Sequence, residues 1–238
     1  MTRGDPRCRS AGFPLGITLA TGLMFALLCA LGIWQVERLA WKRDLIDRVD
    51  ARIHAVAVPA PRQATELDEY RHVFAIGVFD HEKATLVQAA TIRGAGYWVL
   101  TPLHEADGSS ILINRGFIPP EAKSRYSRPS GMVKVSGLLR LSEPGGGFLR
   151  SNDPAHDRWY SRDIAAIAKA RRISPVSPSF FIDAAAGSGA DSLPIGGLTV
   201  VNFPNNHLQY AITWFVLAAM IIAAYIFAMR QLRKDRRA

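Results

Sequence analysis

Phe13 to Trp34 reads FPLGITLATGLMFALLCALGIW, 22 residues without an Asp, Glu, Lys or Arg. About 20 such residues are enough for a helix to cross a hydrocarbon core, so the stretch predicts a transmembrane helix. Tyr210 to Met229, YAITWFVLAAMIIAAYIFAM, repeats the pattern. Two helices that are apolar all round would have no face to leave in water. The chain therefore reads as a membrane hairpin with spans at 13–34 and 210–229, tails at 1–12 and 230–238, and one domain at 35–209.

The formal net charge of +9 would suit a nucleic-acid binder if it lay on one face, but much of it sits at the tips. Arg3, Arg7 and Arg9 stand against Asp5 at one end, and Arg230, Arg233, Lys234, Arg236 and Arg237 against Asp235 at the other. The segment between the spans holds 21 Lys and Arg against 18 Asp and Glu, too even a balance to imply a nucleic-acid face. Short basic flanks place both tails in the cytoplasm by the positive-inside bias, which puts the central domain on the far side. Arg38, Lys42, Arg43, Arg48 and Arg52 follow the first span and would argue the reverse, but long loops translocate largely regardless of charge.

The first apolar run exceeds the 7 to 15 residues of a signal-peptide core, and Cys29 follows Leu27-Leu28 rather than small residues. An uncleaved anchor is expected. Only twelve residues precede it, few for a mitochondrial presequence, which points to a bacterial plasma (inner) membrane with a periplasmic domain. Cys8 falls in the tail and Cys29 in the span, so the central domain has no thiol and must rely on its core.

Between Gln35 and Val58, Leu39, Ile46, Val49 and Ile53 recur at near-helical spacing, predicting a helical extension ended by Pro59 and Pro61. Short runs rich in β-branched and aromatic residues follow at Val73–Phe79, Thr85–Gln88, Tyr97–Leu103, Ile111–Asn114 and Val133–Leu141. Asp80-His81-Glu82, Gly94-Ala95-Gly96, Asp107-Gly108 and Pro119-Pro120 separate them as turn signals. The domain is thus expected to be β-rich (α+β), with its sheet closing into a small antiparallel barrel or sandwich. Glu143–Pro154 reads as a loop, Asp163–Arg172 as a helix, Ser179–Ile182 as a last strand and Ala184–Gly197 as a mobile small-residue stretch.

Catalytic constellations are missing: there is no Gly-x-Ser-x-Gly, no phosphate-cradling glycine loop and no Cys-x-x-Cys-His. His81-Glu82 and His104-Glu105 begin a zinc-protease pattern, but Thr85 and Gly108 stand where a second histidine is required, so both read as turn residues. The chain is not expected to be an enzyme.

One constellation rises above this background. Asn205 or Asn206 can cap the second span, which puts His207 in its first turn and stacks His207, Tyr210, Ala211 and Trp214 on one face. The positive end of the helix dipole favours a neutral imidazole there, with a ring nitrogen free for iron. Antiparallel spans would bring Trp34, Gln35, Arg38 and Trp41 to the same depth. An apolar slot between the helices, with Arg38 and Lys42 at its rim, would suit a haem with outward propionates. The alternative is that the same residues are interfacial anchors and snorkelling cations.

Several motifs carry a resemblance. Leu31-Gly32-Ile33-Trp34-Gln35 is followed by Arg38-Leu39 and Trp41-Lys42, then Tyr70-Arg71 and Gly77-Val78-Phe79-Asp80, then Gly96-Tyr97-Trp98-Val99-Leu100-Thr101-Pro102-Leu103. Asn114-Arg115-Gly116-Phe117-Ile118-Pro119, Trp159-Tyr160-Ser161-Arg162-Asp163 and Asn206-His207-Leu208-Gln209-Tyr210-Ala211-Ile212-Thr213-Trp214-Phe215 complete the series. In this order they resemble the surfeit locus protein 1 family of membrane factors for assembly of cytochrome c oxidase and related haem-copper oxidases. Phe117 departs from the tryptophan usual after Asn-Arg-Gly. The resemblance implies a two-span protein that handles haem a, with His207 as the axial iron ligand. It also implies a chaperone role in respiratory-chain biogenesis, with the oxidase catalytic subunit as partner and the haem a synthesis machinery as a further one. A cofactor-free scaffold that docks on the nascent oxidase subunit is the alternative.

Overall fold

The computed structural model describes residues 12–146, 150–174, 176–177, 179–187, 192–199, 201 and 203–235. The outermost tails, with Cys8 and most of the flanking arginines, lie outside the described residues, as do parts of the 143–154 loop and of the 184–197 stretch. The chain divides into two compact units, residues 1–47 with 202–238, and residues 48–201.

In the first unit, α1 (Gly12–Ile53) and α3 (His207–Asp235) both contain windows long and apolar enough to cross a membrane. They pair antiparallel. Thr18 Oγ1 and Tyr225 Oη are hydrogen-bonded at 2.8 Å, and His207 Nδ1 meets Gln35 Oε1 at 2.7 Å. Seventeen residues of helix separate Thr18 from Gln35, about 26 Å at 1.5 Å per residue. The two polar contacts therefore bracket most of a hydrocarbon core, itself about 30 Å thick. The seam between them is narrow. Leu28, Gly32, Gln35 and Leu39 on α1 and Ala211 and Ala218 on α3 are buried, at the alternating three- and four-residue spacing of helices that wrap each other. Gly32 is needed at this seam, since a Cβ there would stand 2.7 Å from the Phe215 ring. The remaining surface is apolar, with Leu19, Leu23 and Phe227 about two-thirds exposed or more.

In the second unit, β1 (Val58–Pro59) runs parallel to β2 (His72–Phe79). The expected helical extension stops earlier than Val58, because α1 ends at Ile53 and Val58-Pro59 instead form this edge strand, where Pro59 needs no donor. β3 (Thr85–Thr91), β4 (Gly94–Glu105), β5 (Ser110–Ile118), β6 (Met132–Leu141) and β7 (Phe180–Ala184) complete a sheet in the order β1-β2-β6-β7-β5-β4-β3. An additional β2–β4 pairing closes it, so β2, β6, β7, β5 and β4 form a five-stranded barrel with β1 and β3 appended. Closure depends on Gly77 opposite Glu105, because a Cβ at Gly77 would lie 2.2 Å from the His104 carbonyl oxygen. The barrel of the sequence reading is present, but it is mixed: β5 and β7 pair parallel through Ile113–Ile182 and Asn114–Asp183.

Gly94-Ala95-Gly96 begins β4 rather than turning the chain, and the tight turn falls on Ile92-Arg93. The described part of the 184–197 stretch is hydrogen-bonded to the barrel, through Phe117 with Ile195 and through Gly197 N–H to the Ala184 carbonyl. α2 (Ile164–Arg171), capped by the Asp163 carboxylate on the Ala166 N–H, covers one flank. Val73, Leu103, Ile113, Leu139, Phe180 and Ile182 form one core cluster, while Leu100, Leu112, Trp159, Ile164, Ile167 and Phe181 pack together with α2. Leu112 and Ile113 alternate between the two clusters, as do Phe181 and Ile182, which is why β5 and β7 are apolar on both faces.

Candidate functional site

The helix seam assembles part of the expected constellation. α3 begins at His207, with the Tyr210 N–H bonded to the Asn206 carbonyl at 3.2 Å. His207 is half-buried and Gln35 is 9% exposed. An amide oxygen only accepts, so His207 donates its Nδ1–H across the seam and its Nε2 carries the lone pair. Imidazoles that bind metals are commonly held this way, by an acceptor on the nitrogen away from the metal.

The other residues named from the sequence distribute around this contact. Gln35, Arg38 and Lys42 follow each other at helical spacing on α1. The Arg38 guanidinium lies 3.9 Å from the centroid of the Trp41 ring, and Lys42 Nζ 5.3 Å from that of Phe203, a residue the sequence reading did not single out. Ala211 is buried in the seam and Trp214 half-buried, whereas Trp34 and Tyr210 are more than half exposed and turn outward. The slot expected between the helices is closed, because Gly32, Ala211 and Ala218 let them approach and the Gln35–His207 bond fills the remaining gap. An open groove of about 420 Å³ lies on the neighbouring face of α3, lined by Asn205, Asn206, Leu208, Gln209, Ile212 and Thr213. Asn205 Oδ1 is buried and unpartnered. Among the described residues His207 Nε2 has no hydrogen-bond partner, and a single imidazole so held matches the donor chemistry of a one-ligand haem site.

The barrel carries a buried ionic cluster that spacing in the sequence did not reveal. Asp183, 4% exposed, accepts from Asn114 Nδ2 at 2.7 Å, Thr199 Oγ1 at 2.9 Å and Arg162 Nη1 at 3.4 Å, with Arg140 Nη1 at 3.6 Å. Arg162 also forks onto Glu143 and lies over the Phe181 ring. Burial opposes the Arg162 charge, but Glu143 and Asp183 outweigh it and hold the guanidinium above its usual value. His81 opens a short 3-10 turn, as read, and donates to the Pro129 carbonyl, whereas His104 lies in β4 rather than in a turn and meets Ser110 and Asp80. Among the described residues no group of three or more His, Cys, Asp or Glu is placed to hold a metal ion.

Comparison with known proteins gives a consistent picture. The SURF1 family model matches residues 22–219. Surfeit locus protein 1 of Xenopus tropicalis is 36% identical over 228 residues, covering 86% of this chain and 72% of that protein. The Homo sapiens protein of the same name is 36% identical over 85% of this chain and 73% of its own length. A SURF1-like protein of Caenorhabditis elegans is 31% identical over 85% of this chain and 70% of its own. A family match running from the first span into the second, joined to a third or more identity along most of the chain, shows that this chain belongs to the SURF1 family.

Proposed function

We propose that this chain is a membrane-anchored assembly factor for haem-copper oxidase, which holds haem a through His207 and aids its insertion into the oxidase catalytic subunit. The central domain then stands on the periplasmic side of a bacterial inner membrane, with both tails in the cytoplasm, as the basic flanks favour. The observation that carries the reading is the 2.7 Å bond from His207 Nδ1–H to Gln35, which leaves Nε2 available as an axial donor. Bound there, the haem would supply its iron for ligation and its macrocycle as cargo. Gln35 orients the imidazole, Leu208 and Ile212 offer apolar wall, and Arg38 and Lys42 offer cations for carboxylates further along α1. Hand-over requires release, and a single axial ligand suits a transient hold better than two would. No turnover chemistry is invoked.

The test is the haem spectrum of the protein purified from a haem a-producing host. Wild type carries haem a and His207→Ala loses it; an unchanged spectrum in the variant overturns the assignment. An exposed apolar patch on the barrel, with Ile76, Val78 and Met132 at 43%, 43% and 71%, favours a second reading as a cofactor-free scaffold for the oxidase subunit. That reading prevails if wild-type protein captures the subunit yet never carries haem.

A further inference from the structure

The Asn114-Arg115-Gly116-Phe117 motif is mostly accounted for by the barrel. Asn114 holds Asp183, Gly116 lies against the Ile195 backbone, and Phe117 packs edge-on against Trp98. Arg115 is not so explained. It points to the opposite face of β5 from Asn114, where its guanidinium lies 4.9 Å from the centroid of Phe79 and 6.0 Å from that of Tyr126. Nη2 donates to the Ser127 carbonyl at 2.7 Å, but Nη1 is buried without a partner. Burial, opposed by Tyr126 and reinforced by Arg128, holds this guanidinium below its usual value. A buried cation without a carboxylate is costly and calls for an anion.

The surroundings supply more of the same chemistry. His81, in ring contact with Phe79, donates Nε2–H to the Pro129 carbonyl at 2.9 Å, and its Nδ1 is buried and unpartnered. His81 lines a cavity of about 410 Å³ together with Lys123, Tyr126 and Arg128. Lys123 stacks on Tyr97 and Arg128 on Tyr126, and neither they nor Arg115 form a salt bridge among the described residues. Of the other charged groups lining the cavity, Arg171 and Asp157 neutralise each other and Glu82 is the remaining acid. Two unpaired cations, Lys123 and Arg128, thus face one unmatched carboxylate in the lining.

We propose that the cavity lined by His81, Lys123, Tyr126 and Arg128, with Arg115 outside the lining and 6.0 Å from the Tyr126 ring centroid, binds a phosphate-bearing ligand. Guanidinium and ammonium groups donate to phosphate oxygens, and the stacked tyrosine rings hold the cationic side chains in place. The phosphate belongs either to a phospholipid headgroup or to a free oxyanion.

The test uses the full chain in a neutral detergent, titrated with inorganic phosphate and separately with a short-chain phosphatidic acid, while following the His81 ring signals by NMR. Saturable shifts are expected with at least one of the two probes, weakened at least tenfold in Arg115→Gln and at least threefold in Arg128→Gln. Arg128 is exposed, so its variant tests the site without threatening the fold. Phosphatidic acid binding tenfold tighter than phosphate identifies a headgroup, and equal binding a free oxyanion. No saturable shift with either probe, wild-type affinity in both variants, or an acidic peptide that binds where neither probe does overturns the proposal.

Discussion

If His207 holds haem as proposed, replacing Gln35 by Leu should weaken that binding about tenfold without dismantling the helix pair. Leucine has nearly the shape of glutamine and suits the apolar seam, so what is lost is the acceptor 2.7 Å from His207 Nδ1. At 9% exposure Gln35 leaves little room for water to take its place. An unsatisfied donor in such surroundings costs about 1–3 kcal/mol, while polar contacts between membrane helices average nearer ~0.6 kcal/mol and reach about 1.7. About 1.4 kcal/mol is a factor of ten, the lower end of the roughly 10–100-fold loss seen when an acceptor behind a metal-bound histidine is removed. The assay is a haem titration in detergent, read by the absorption difference, for wild type, Gln35→Leu, His207→Ala and the double variant. Once His207 is absent, Gln35→Leu should add nothing, because the two act through one bond. A Gln35→Leu affinity within twofold of wild type, or a loss of equal size in the His207→Ala background, refutes the role assigned to the amide.

Two further outcomes concern the barrel. Asp183→Asn leaves Arg140 and Arg162, both about 15% exposed, facing each other with less negative charge. Breaking a buried pair costs about 3–5 kcal/mol, and at about 2–4 °C per kcal/mol the melting temperature should fall by roughly 10 °C; a fall under about 2 °C would contradict the ionic account. Asp80 is opposed by burial but held below the ordinary carboxylate range by the side chains of Lys83 and His104. Its contribution is complete above the unfolded value of about 4 and is lost as pH falls below that, through the depressed folded value. Asp80→Asn should therefore be less stable than wild type at neutral pH and converge with it below about pH 4 in pH-dependent melts; parallel curves across that window would exclude the assignment.

Hydropathy alone marked both long apolar helices, because uncharged runs of about 20 residues have no stable home in water. Alternation and turn residues located the strands to within a few positions, since a half-buried pleat imposes its period on the side chains. His207 was legible for a related reason: a polar residue after a cap and ahead of twenty apolar ones stands at a boundary by position alone. Tertiary structure decided what residues distant in the chain do to one another. Barrel closure at Gly77, the parallel β5–β7 pair and the cluster around Asp183 join segments that no short-range pattern connects. The same holds for Gln35 on His207, 172 positions apart, and for Arg115 beside Tyr126. Local sequence sets which face of an element is apolar. Which faces then meet depends on small residues that permit close approach and on which buried charges find partners, and both are settled only when the chain packs.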